Sequence, residues 1–156
     1  MLRTVSRRSA LVALVLASAL AAPSRAGDTV PIRAVGSFTA VGQEVDPSTG
    51  NLIIFADISG NSSHLGRFTG TATEVLYAPD HASFTTFTTQ VAANGDKLFA
   101  TYEGSFIDSS DSTGTFEITG GTGRFAGASG SGTFVALDGG AQVVEQGAIS
   151  TVGSGR

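Results

Sequence analysis

Apolar and polar residues alternate along most of this chain, and no 11-residue stretch repeats apolar groups at i, i+3, i+4 and i+7. Period-two alternation is the signature of strands with one face buried. Eight such segments are present: 33–41, 51–58, 66–77, 82–92, 97–106, 114–120, 131–137 and 141–150. In 97–106 the apolar set is Leu98, Ala100, Tyr102, Gly104 and Phe106, against Lys97, Thr101, Glu103 and Ser105, with Phe99 out of phase. In 66–76 the set Phe68, Gly70, Ala72, Glu74, Leu76 opposes Arg67, Thr69, Thr71 and Thr73. Segment 51–58 is apolar on both faces, so its outer side is expected to meet another element or a second subunit.

Turn chemistry separates the segments. Pro47 and Gly50 fall in 46–51, and Pro79 precedes Asp80 in 77–82. Asn94-Gly95 predicts a type I′ hairpin, and Asp138-Gly139 repeats the logic. Eight short antiparallel strands predict a single closed barrel, with a β-sandwich as the alternative. Closure is preferred because it leaves no open edge.

Residues 1–26 read differently. Arg3, Arg7 and Arg8 precede an apolar run of 13 residues, and small residues follow at Ser24 and Ala26. That order predicts a signal peptide cut after Ala26, or after Ala21, and hence a secreted or periplasmic protein with one domain over 27–156. Ser6-Arg7-Arg8 with Leu11 behind it resembles a twin-arginine signal. Without residues 1–26, five basic groups face thirteen acids, for a net charge of −8. This acidity argues against nucleic acid and anionic membrane surfaces as partners. The absence of cysteine excludes thiol catalysis, zinc thiolates and iron–sulfur clusters.

Segment 118–134, with Gly121-Thr122-Gly123 and Ala126, has the letters of a dinucleotide turn. The chemistry requires a helix facing the phosphates, and glycines at 127, 130 and 132 oppose one. These glycines instead predict a corner between two strands, with Phe125 inserted into the core. Gly-Arg-Phe-x-Gly occurs at 66–70 and again at 123–127, 57 residues later, which suits two related halves of one barrel.

The run Gly120-Gly121-Thr122-Gly123-Arg124-Phe125, continuing to Gly127, resembles a segment of dirigent proteins and is similar to the corresponding region of allene oxide cyclases. The stretch 92–96 resembles a pattern in small secreted bacterial proteins. The resemblance implies an eight-stranded antiparallel barrel of the type in which those families steer a reactive small molecule. It implies a structural role for the glycine motif and carries no catalytic residue onto this chain.

On the residues themselves, Glu74 and Tyr102 are the catalytic candidates, because each lies in an apolar alternate set. A carboxyl in an apolar cavity has a raised pKa and can exchange protons. Arg67 and Arg124 are the candidate anion-binding residues. His64 and His81 lie in predicted loops. Asp108 and Asp111 lack the spacing of an EF-hand, so no metal and no cofactor are expected. The favoured function is a non-catalytic module for a small apolar ligand or another protein. The alternatives are a barrel isomerase or cyclase acting on a small lipophilic substrate, and a structural surface protein associating through 51–58. The first two for a small molecule call for an interior cavity of roughly 300 Å³.

Overall fold

The computed structural model describes residues 28–151; the expected signal peptide and its cleavage site lie outside them. Eight antiparallel strands follow one another around a closed barrel: β1 (Thr29–Val45), β2 (Leu52–Ser62), β3 (Gly66–Leu76), β4 (Ser83–Ala92), β5 (Lys97–Phe106), β6 (Ser112–Gly121), β7 (Ser129–Leu137) and β8 (Gln142–Ser150). Each predicted segment matches one strand, and the sandwich alternative is excluded by the pairing of β1 with β8.

β1 is longer than its alternation suggests. Its first part pairs with β8 from Thr29 to Gly36, and its later part pairs with β2 from Ala34 to Val45. A bulge between Ala40 and Gly42 lets one long strand bend across both neighbours. Pro31 lies where β1 is paired on the β8 side alone, so its missing N–H is tolerated.

The connections divide between two ends. Turns 46–51, 77–82, 107–111 and 138–141 form one end. Turns 63–65, 93–96 and 122–128 form the other. In 46–51, the Asp46 carboxylate accepts from Ser48 N, Ser48 Oγ and Thr49 Oγ1. These bonds, Ser48's hydroxyl first, hold its pKa at about 2.

Of the two turns expected to place both central residues at positive φ, Asp138-Gly139 does so and Asn94-Gly95 does not. At 93–95, only Gly95 has positive φ (87°), and its N–H donates to Ala92 O. That is a type I turn followed by a left-handed glycine, not type I′. At 138–139, both Asp138 (φ 53°) and Gly139 (φ 65°) are left-handed. Asp138 tolerates this because its N–H bonds Asp111 Oδ1 and Gly139 N bonds Ser110 O, tying two loops together.

The glycine motif makes the predicted corner. Gly120, Gly123 and Gly127 have positive φ, and Phe125 is 2% exposed at the centre of this end. Around it lie Ile32, Leu65, Leu98, Ile118, Ala128 and Ile149, which fill the lumen and close it. The corner is docked on turn 93–96: Thr122 N donates to Lys97 O at 2.8 Å, and Lys97 N to Thr122 Oγ1 at 3.0 Å. The two Gly-Arg-Phe-x-Gly copies are not structural repeats, since Phe68 sits in strand β3 whereas Phe125 ends a 3₁₀ turn (Gly123–Phe125). They share only a left-handed first glycine and a buried phenylalanine.

Higher in the barrel, glycines face one another across strands, as Gly36↔Gly60, Gly104↔Gly114 and Gly132↔Gly147. A Cβ on Gly60 would lie 2.8 Å from Phe68 Cζ, on Gly104 2.7 Å from Phe84 Cζ, and on Gly132 2.7 Å from Phe116 Cε1. Each pair is thus a slot for a phenyl ring, the small-against-large fit by which a narrow barrel is filled.

Candidate functional site

The lumen is packed at one end and open at the other. Between them is a cavity of about 250 Å³. It has room for about eight waters at about 30 Å³ each, just under the usual range for small-molecule sites. Its mouth is framed by the two tied loops, through Ser110, Gly139 and Gly140. Apolar walls come from Phe38, Ile54, Ile58, Phe84, Phe106 and Phe134. The rings form a connected series, with centroid separations of 5.4 Å for Phe84–Phe106, 6.2 Å for Phe84–Phe134 and 5.5 Å for Tyr102–Phe134.

Among the polar side chains that line this cavity, Glu74, Thr86, Gln90, Tyr102 and Glu145 bond one another in two groups. Their placement follows from register. Glu74 is opposite Thr86, and Thr86 is opposite Tyr102, so β3, β4 and β5 present them side by side on the inner face. Thr86 Oγ1 donates to Glu74 Oε2 at 2.8 Å. Gln90 Nε2 donates to the Tyr102 hydroxyl at 3.1 Å, and that hydroxyl donates to Glu145 Oε1 at 2.9 Å. With both roles of its hydroxyl used, Tyr102 is fixed as donor to the carboxylate.

Burial sets the electrostatics. Desolvation raises the pKa of Glu145, and the Tyr102 hydrogen bond opposes the rise in part. Glu74 is raised in the same way and opposed by Thr86. Desolvation, then the charge of Glu145, pushes the Tyr102 phenol well above its ordinary value. No lysine, arginine or histidine is among the residues that line the cavity. Among the described residues, no buried side-chain polar atom lacks a hydrogen-bond partner.

Neither family models, curated proteins nor solved structures give a match to this chain.

The structure brings two of the sequence candidates, Glu74 and Tyr102, to one cavity. It places the other two elsewhere. Arg67 is exposed and its neighbours in register alternate with the inner-facing set, so it points outward from β3. Arg124 lies at the packed end, 3.7 Å from Asp96 and 4.8 Å over the Phe125 ring, with Nη2 donating to Leu65 O. Its contacts are those of a structural residue. His64 and His81 bond Pro31 O and Gly50 O at opposite ends of the barrel. Asp108 caps its own loop, accepting from Ser110 N and Asp111 N at 2.8 Å each. Among the described residues no group of three metal-ligating side chains occurs. On β2, no element among the described residues covers the outer side, and Phe55 is exposed there beside Phe87 of β4, with Thr73 between them in register.

Glu145, Gln90 and Thr86 are cavity residues that the sequence reading did not single out. For Glu145 the signal is the alternate set Val143, Glu145, Gly147, Ile149, the same kind that marks Glu74.

Proposed function

We propose that this protein is a non-catalytic binding module whose barrel cavity holds a small lipophilic molecule. The observation that carries the reading is the cavity: one end of the lumen is closed by Phe125 and its neighbours, while the other is left open and lined with phenyl rings. A barrel whose only task was structural would gain by filling that space, because unfilled apolar volume forfeits packing energy. The likeness of Gly120 to Phe125 to families that steer small molecules inside a barrel adds support. Export directed by residues 1–26 puts this cavity outside the cytoplasm.

The test uses naphthylmethanol, a neutral probe of suitable size, titrated while backbone amide NMR shifts are followed. Shifts at Phe84, Phe134, Ala136 and Val143 are expected, and Ala136→Phe should abolish them. No binding at millimolar probe, or shifts confined to Phe55 and Phe87 on the outer face, would sink the reading.

One observation favours a second reading, an isomerase or cyclase. Glu145 is a desolvated carboxyl bonded to a phenol in an apolar cavity, a pair suited to exchanging a proton with a bound substrate. Turnover of a lipophilic epoxide or enone that Glu145→Gln removes would favour it over simple binding.

A further inference from the structure

The cavity carries two acids and no base. Glu74 and Glu145 both line it, each receives a hydrogen bond from one protein hydroxyl, and no cationic side chain is among the lining residues. Ionised carboxylates in apolar surroundings are costly unless a cation is paired with them. A neutral ligand filling the cavity would displace water from both groups and raise that cost. A cationic ligand would do the reverse, because it brings the missing counter-charge with it.

The walls match the same chemistry. Phe84, Phe106, Phe134 and Tyr102 form a continuous series of rings beside these acids. Aromatic faces attract ammonium groups, more strongly when water is excluded. A hard metal ion is a poor match, since calcium takes 6–8 oxygen ligands and this cavity is mostly phenyl and aliphatic. The acidic surface adds a long-range field that draws cations toward the mouth.

Resting on the reading that the cavity binds small molecules, we propose that its ligand is a lipophilic amine. The ammonium is neutralised by Glu74 and Glu145, and the apolar body lies against Phe84, Phe106 and Phe134. The polar groups already in place serve this role: Thr86, Gln90 and Tyr102 orient the two carboxylates without contributing positive charge.

The experiment compares three probes of one shape, naphthylmethylamine, naphthylmethanol and naphthoate, by calorimetric titration at pH 7. The amine is expected to bind at least tenfold tighter than the alcohol, with the carboxylate weakest. In Glu74→Gln, Glu145→Gln and the double variant, the amine-to-alcohol ratio should fall stepwise toward one. Glutamine accepts the same hydrogen bonds, and thermal melting confirms that each variant is folded. If the alcohol binds the wild type as tightly as the amine, the amine assignment is overturned while the cavity reading stands. The same holds if the double variant keeps the tenfold preference. If none of the three binds, both readings fall.

Discussion

The Tyr102 hydroxyl of β5 donates to Glu145 Oε1 of β8 at 2.9 Å, across the lumen, since β6 and β7 lie between the two strands in the barrel wall. This bond and the one from Gln90 make a polar bar between the packed end and the cavity. Tyr102→Phe removes the bar and leaves two buried polar groups without their partner. The expected cost is about 1–3 kcal/mol in urea unfolding at pH 7. An unchanged midpoint would mean that water replaces the phenol without loss.

The two cavity acids set a pH dependence of definite sign. Both are raised in the folded state by desolvation, so folding favours their protonated forms. Their contribution is fully present below the unfolded value of about 4.3 and is lost as pH rises through the folded values. Glu145→Gln and Glu74→Gln should therefore melt higher than wild type at pH 7, with the gain vanishing near pH 4. Asp46 has the opposite sign: held at about 2, it contributes above its unfolded value of about 3.9. That contribution is lost as pH falls through about 2. Calorimetric melts of the three proteins between pH 3 and 8 check this, and a gain that persists undiminished at pH 4 contradicts it.

Phe125 is the largest side chain closing the packed end, and it is fully buried. Phe125→Ala opens a cavity beneath Leu98, Ile118 and Ile149, with an expected loss of about 3–5 kcal/mol. Chemical denaturation measures it. A loss under about 1 kcal/mol would show that the corner collapses into the space and that the ring is not the plug.

Strand positions were legible because one face of each strand is buried, so alternation carries through Leu98 to Phe106 and Phe68 to Leu76. The same parity exposed Glu74 and Tyr102 as inner residues. β4 hid its inner face, because Thr86, Thr88 and Gln90 point inward while Phe87 is exposed. A polar lumen reverses the usual sense of the pattern there. β8 hid Glu145 because Val143 and Val144 are adjacent and fit either register. Asp138-Gly139 follows its dipeptide preference and is held further by bonds to Asp111 and Ser110, whereas Asn94-Gly95 departs from its preference, with Gly95 N bonded to Ala92 O. The cavity depends on which rings enter which glycine slots, a matter of three-dimensional spacing.

Those slots make the last prediction. Gly132 is opposite Gly147 in register, and the Phe116 ring lies over it. A Cβ there would run into the Gln146 carbonyl oxygen and come within 2.7 Å of Phe116 Cε1. The ring can rotate aside, but the carbonyl belongs to the β7–β8 ladder and cannot yield without separating the strands. Gly132→Ala is therefore expected to cost about 1–3 kcal/mol, the range for overfilling a packed interior. Phe116→Leu in the same background relieves the ring contact and leaves the carbonyl contact in place. The double variant should recover only part of the loss attributed to Gly132→Ala, in a double-mutant cycle by urea unfolding. Full recovery would assign the whole cost to the ring and show that the strands tolerate a methyl group at their closest approach.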